Sequence, residues 1–161
     1  AVRNKLAQVY SGGLVYWNLK PDEYQTFSAD QQACVTFVKV DTRGKRQALL
    51  LKVQENNWRK GAIAVSWQPK TNRFVVESSV PWESEWETIA VFPGTLANGD
   101  RLSARALADG SVQVYRNDML VGTVPAGHSG DFFRDRGGRI GLWFTDASRA
   151  QLDDFGGGNA P

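Results

Sequence analysis

The chain has 161 residues, enough for one domain with a substantial core, and no break in composition asks for a second. Its 19 basic and 17 acidic residues leave a formal charge of +2, and the basic ones never gather into the stripe that phosphate neutralisation needs, which argues against a nucleic-acid partner. No apolar stretch approaches the roughly 20 residues that insert across a bilayer, AVRNKLAQVY does not read as a signal peptide, and a lone cysteine rules out an internal disulfide.

Short runs rich in β-branched and aromatic residues, separated by Gly, Asn, Asp and Pro, predict an all-β chain with no long helix. In chain order the expected strands are Leu14 to Trp17, Ala33 to Val40, Ala48 to Gln54, Ala62 to Gln68, Phe74 to Glu77 and Glu87 to Phe92. Arg101 to Leu107, Ser111 to Arg116, Leu120 to Val124, Gly138 to Phe144 and Gln151 to Phe155 follow. That number suits a sandwich of two packed sheets. Alternation assigns Leu49, Leu51, Val53, Ile63, Val65, Trp67, Leu102, Ala104, Ala106, Val112, Val114, Ile140, Leu142 and Phe144 to the core. Lys52, Gln54, Arg101, Arg105, Gln113 and Tyr115 fall on the opposite, polar side, which can be solvated surface or a sugar platform. Cys34, inside an apolar run, reads as a buried inert thiol.

Asp109-Gly110 and Asn117-Asp118 sit between alternating runs, as hairpin turns do. The domain is expected to occupy residues 1–155, with the glycine-rich end, Gly156 to Pro161, as a tail or linker that has nothing to bury.

The segment DGSVQVYRNDMLVGT (Asp109 to Thr123) resembles a hairpin of the concanavalin A-like lectin/glucanase sandwiches, the laminin-G and pentraxin-like group. GGRIGLWF (Gly137 to Phe144), followed by Leu152-Asp153-Asp154-Phe155, is similar to that group's closing strands. Asp118 stands where the family usually has Gly, and Ala1 to Gly13 is a short lead for the N-terminal strand that usually pairs near the closing one. The resemblance implies an antiparallel jelly-roll-like β-sandwich, usually extracellular, that most often binds carbohydrate or protein; some relatives are glycoside hydrolases. A short lead also suggests an open edge that a neighbouring domain or chain covers.

Three site expectations follow. In Trp82-Glu83-Ser84-Glu85-Trp86-Glu87, an extended segment places Glu83, Glu85 and Glu87 on one side and both tryptophans on the other. Carboxylate spacing alone allows glycoside hydrolysis by Glu83 and Glu87, with Glu85 shifting their pKa values. The segment lacks the central Asp and first apolar spacer of the glucanase ladder, and its polar setting after Pro81 suits a strand edge. Trp82 and Trp86 are then the better candidates, stacking on sugar rings at the rim, with Tyr115, Arg105 and Gln113 on the polar sheet face.

Second, strict alternation sends Leu152 and Phe155 to opposite faces, so an aspartate must approach the interior or the strand must bulge. A buried carboxylate there would pair with Arg139 or Arg149, or hold Ca²⁺ through Asp153 or Asp154, the role the resemblance implies. Third, His128 beside Ser129 and Asp131 lacks a nucleophile-elbow setting and reads as a loop histidine. The expectation is therefore a non-catalytic carbohydrate-binding or adhesion module of a larger secreted or surface-bound bacterial protein. A glycoside hydrolase and a domain docking through a sheet edge are the alternatives.

Overall fold

The computed structural model describes residues 7–8, 13–16, 18–20, 23–24, 26–127, 129 and 131–161; Trp17 and His128 lie outside them. The first strands are β1 (Ala7–Gln8), β2 (Gly13–Tyr16), β3 (Asn18–Lys20), β4 (Glu23–Tyr24), β5 (Gln31–Lys39), β6 (Arg46–Val53) and β7 (Ala62–Gln68). They are followed by β8 (Arg73–Ser79), β9 (Glu87–Pro93), β10 (Arg101–Ala106), β11 (Val112–Arg116), β12 (Met119–Val124), β13 (Arg139–Thr145) and β14 (Gln151–Asn159). One antiparallel sheet, here sheet A, runs β1-β14-β5-β10-β11-β12; its partner, sheet B, runs β2-β13-β6-β7-β8-β9. All the strands expected from periodicity are present, with ends moved by one or two residues except at β14.

The inner faces meet as alternation demands. Ala33, Val35 and Phe37 of β5, Leu102, Ala104 and Ala106 of β10, and Val112 and Val114 of β11 pack against Leu49, Leu51, Ile63, Val65, Trp67, Phe74 and Val76 of sheet B. Asn117 and Asp118 both take positive φ, 48° and 64°, the pattern of a type I′ turn, so the aspartate replaces glycine without opening the hairpin. Asp100 ties this hairpin down: its carboxylate accepts from Arg116 Nε at 2.9 Å, Asn117 Nδ2 at 2.8 Å and the Ala97 N–H at 2.7 Å. Burial alone would raise the Asp100 pKa, but these hydrogen bonds outweigh it and hold the carboxyl below its ordinary range.

Three expectations are corrected. Lys52 does not face outward: with φ of 49° at residue 52 and a register shift against β13, the strand bulges, turning Lys52 inward and sending Val53 to the other side. The Lys52 Nζ donates to the carbonyl oxygens of Leu107 at 2.6 Å and Phe133 at 3.0 Å. Burial pulls its pKa down to about 8, so the folded state sheds this proton more readily than the unfolded chain, and stability rises with pH from about 8 towards the ordinary lysine value.

The glycine-rich end is not a tail: β14 continues to Asn159, pairing Gly156, Gly157, Gly158 and Asn159 with Cys34, Ala33, Gln32 and Gln31. The N-terminal lead also supplies a short strand beside the closing one, with Ala7 opposite Leu152 and Gln8 opposite Gln151.

The glycines of β14 differ by face. A Cβ on Gly157 would run into the Gln32 carbonyl oxygen and Ile140, whereas one on Gly156 or Gly158 would meet nothing within 4 Å. Gly157→Ala is therefore expected to cost about 1–3 kcal/mol, while Gly156→Ala and Gly158→Ala are neutral or stabilise by up to about 1 kcal/mol. Chemical denaturation of the three variants checks this; equal effects at all three positions would contradict an ordered strand there.

Candidate functional site

The register of sheet A builds its outer face in cross-strand rows. Gln32 of β5 lies opposite Arg105 of β10, which lies opposite Gln113 of β11; in the next row Cys34, Ser103 and Tyr115 follow the same order, and Thr36 faces Arg101 beyond them. Paired positions on neighbouring antiparallel strands stand about 4.5–5.5 Å apart, close enough for side chains in a row to act on one ligand. On β14 the outward neighbours of Gln32 and Cys34 are Gly158 and Gly156, so the rows end in an open floor. A cavity of ≈ 270 Å³ results, lined by Gln32, Cys34, Arg101, Ser103, Arg105, Tyr115 and the carboxylate-bearing Asp118, with Gly157 on the β14 side.

Its polar groups are partly preorganised. The Tyr115 hydroxyl donates to Gln113 Oε1 at 2.8 Å, leaving the Gln113 amide N–H groups and the phenolic oxygen lone pairs free of that bond. Arg105 is half-buried, with its guanidinium carbon 5.5 Å from the Tyr115 ring centroid. Arg101 instead places Nη2 3.2 Å from Cys34 Sγ and Nη1 3.9 Å from Asp118 Oδ1. Cys34 is thus not a core thiol; Ala33 and Val35 take the inward positions on either side and leave Cys34 half-buried on the cavity side.

Arg105, Gln113 and Tyr115 are brought together as expected, but Trp82 and Trp86 join neither them nor each other. Residues 81–86 form turns and bends, and pairing of β9 begins only at Glu87, opposite Ser78. Trp86 lies on the outer face of sheet B, its ring centroid 5.4 Å from Trp58 and 5.0 Å from Trp143. These rings, with Leu14 and Tyr16, cover Ala48, Leu50, Val53, Ala62 and Ala64 in a second apolar cluster. Arg46 stacks 3.7 Å over Trp143 and pairs with Glu77 at 3.0 Å; burial raises the Glu77 pKa while Arg46 opposes it. Trp82 is 64% exposed and meets only the edge of Phe132 among the described rings, at 5.5 Å. Glu83, Glu85 and Glu87 are exposed, and none of them lines the ≈ 270 Å³ cavity.

The closing aspartates resolve by a bulge. Asp154 takes φ of 50°, the register shifts between Asp153 and Gly156, and both Leu152 and Phe155 reach the core cluster. Asp154 is left exposed and Asp153 half-buried, with Asp153 Oδ1 accepting from the Asp154 N–H at 2.8 Å. The buried carboxylate that would demand a cation is therefore absent. Among the described residues no group of three or more His, Cys, Asp or Glu could hold a metal ion; a Ca²⁺ shell of six to eight oxygens at Asp153 or Asp154 would have to be completed by backbone carbonyls and water.

Gln32, Cys34, Arg101, Ser103, Asp118 and Gly157 line the cavity without having been anticipated as parts of the site. Alternation against Ala33 and Val35 could have placed Gln32 and Cys34 outward; only the neighbour order β14-β5-β10 puts the β14 glycines beside them.

No protein-family model and no curated protein sequence matches the chain. Solved structures do superpose on it, among them galectin-like and carbohydrate-binding-module β-sandwiches. A Bacillus subtilis protein of unknown function with a galectin-like fold aligns at TM-score 0.70 with 12% identity, over 97% of this chain and 82% of that one. The carbohydrate-binding module CBM66 from Bacillus subtilis aligns at 0.59 with 15% identity, over 95% and 88%. Sheep galectin-11 aligns at 0.58 with 6% identity, over 92% and 98%. At these identities the likeness establishes the fold.

The two tryptophans should separate in a stability assay. Trp86→Ala removes the middle ring of a stack and is expected to cost about 2–3 kcal/mol, whereas Trp82→Ala stays within about 0.5 kcal/mol of wild type. Equal, small losses by urea denaturation would show that Trp86 is not part of the structural cover.

Proposed function

We propose that the chain is a non-catalytic carbohydrate-binding module of the concanavalin A-like superfamily, and that it takes its ligand on the outer face of sheet A. The observation that carries this reading is the cavity whose wall combines the Tyr115 ring, the Arg105 guanidinium and the Gln32 amide, with Gln113 hydrogen-bonded behind Tyr115. A sugar ring presents apolar C–H faces and hydroxyls that both donate and accept. An aromatic surface flanked by amides and a guanidinium answers both needs. At ≈ 270 Å³ the cavity lies just below the usual range for small-molecule sites, about 300–1,000 Å³, which suits one sugar unit with the remainder of a glycan crossing the open glycine floor.

The names of the superposed structures, a carbohydrate-binding module and a galectin, support the same class of ligand. The exposed position of the glutamate ladder, outside the cavity, favours binding without hydrolysis. Attachment to a larger secreted or surface-bound protein is the setting in which such a module would serve adhesion or substrate targeting.

A glycan array followed by titration calorimetry tests the site. Tyr115→Ala should weaken binding at least tenfold, about 1.4 kcal/mol, and Gly158→Leu should obstruct it while the melting temperature holds. Trp82→Ala should leave affinity unchanged; loss of binding in that variant, with Tyr115→Ala unaffected, would move the site to the Trp82 and Phe132 surface.

A further inference from the structure

Resting on the carbohydrate reading, we infer that this site selects glycans carrying an oxyanion, a carboxylate or a sulfate ester, and that Arg105 is the group that reads it. The inference comes from what surrounds Arg105. Its cross-strand partners are the neutral Gln32 and Gln113. The diagonal positions facing it are Cys34 and Tyr115 on one side and Asp30 and Ser111 on the other, and the outward positions of β14 beyond Gln32 and Cys34 are glycines. No carboxylate on the described strands of sheet A pairs with it. Asp30, just before β5, has its Oδ1 engaged by the Ala108 N–H at 2.7 Å.

Arg101 differs. Its guanidinium already has Cys34 and Asp118 beside it, so its charge is partly answered within the chain. Arg116 is likewise held by Asp100 at 2.7 Å. Arg105 is the arginine of this face left half-buried against an aromatic ring and open to the cavity.

A half-buried cation without a counter-charge has given up hydration without receiving an anion in exchange. An arriving oxyanion restores the balance and gains charge-assisted hydrogen bonds from a planar fork of donors, which match a carboxylate two at a time. A neutral sugar offers only ordinary hydroxyl contacts to the same group. The floor of Gly156 and Gly158 leaves room for the acidic substituent and the next sugar unit to lie across β14 without displacing a side chain.

The test measures affinity by calorimetry for matched pairs: trigalacturonate against its methyl ester, 3′-sialyllactose against lactose, and a 6-sulfated against an unsulfated galactoside. The acidic member of at least one pair should bind ten times tighter or more at low salt, and that advantage should shrink as ionic strength rises. The preferred pair shows whether the oxyanion is a carboxylate or a sulfate. Arg105→Gln should abolish the difference between acidic and neutral members, Arg105→Lys should keep part of it, and both should melt with wild type because no ion pair is lost.

Equal affinity within every pair, or an acidic preference that survives Arg105→Gln, overturns the inference while leaving the carbohydrate reading intact. If no sugar of either kind binds, both fail together.

Discussion

Everything on the candidate face depends on the register of β5 between β14 and β10. With Ala33, Val35 and Phe37 committed to the core, Gln32, Cys34 and Thr36 must face outward, and each then fixes its neighbours across two ladders. A slip of one residue would exchange these sets and place polar side chains among Leu49, Leu51 and Val65. Hydrophobic burial therefore specifies the outer rows as firmly as the core. The fit of Gly157 against the Gln32 carbonyl and Ile140 locks the β14 side of this arrangement.

The two outer faces of the sandwich have different fates. On sheet B small residues, Ala48, Ala62 and Ala64, let three tryptophans lie close against the strands, and Arg46 with Glu77 joins that cover. Its aromatic rings are largely spent on one another. On sheet A the outward residues around the cavity are polar, the β14 neighbours of Gln32 and Cys34 have no side chains, and a cavity remains. If ligand binds sheet A as proposed, concentration of aromatic residues is a poor guide to its face, and the tyrosine in the polar row is better placed than the tryptophan stack.

Much of the fold was legible in the sequence because period-two alternation persists along β10 and β11, where burial is one-sided, and because core-facing residues still alternate along β7 and β13, where both faces are covered. It failed where the chain bulges. Lys52 and Asp154 both take positive φ without being glycine, and no local pattern marks them. The end of β14 was misread because its glycines look like a linker, yet each is needed by a long-range neighbour: Gly157 by the core, Gly156 and Gly158 by the open floor. At the site, Arg105, Gln113 and Tyr115 could be grouped from one hairpin. Trp82 and Trp86 could not be placed, because their positions follow from contacts with Phe132, Trp58 and Trp143 far away in sequence.

Backbone amide chemical-shift mapping during titration with trigalacturonate would show whether ligand binds sheet A while the aromatic cover of sheet B is structural. Shifts should concentrate at residues 32–36, 101–105, 113–118 and 156–158, with the indole N–H signals of Trp58, Trp86 and Trp143 unmoved. Shifts centred on residues 81–86 and those three indoles would contradict binding on sheet A.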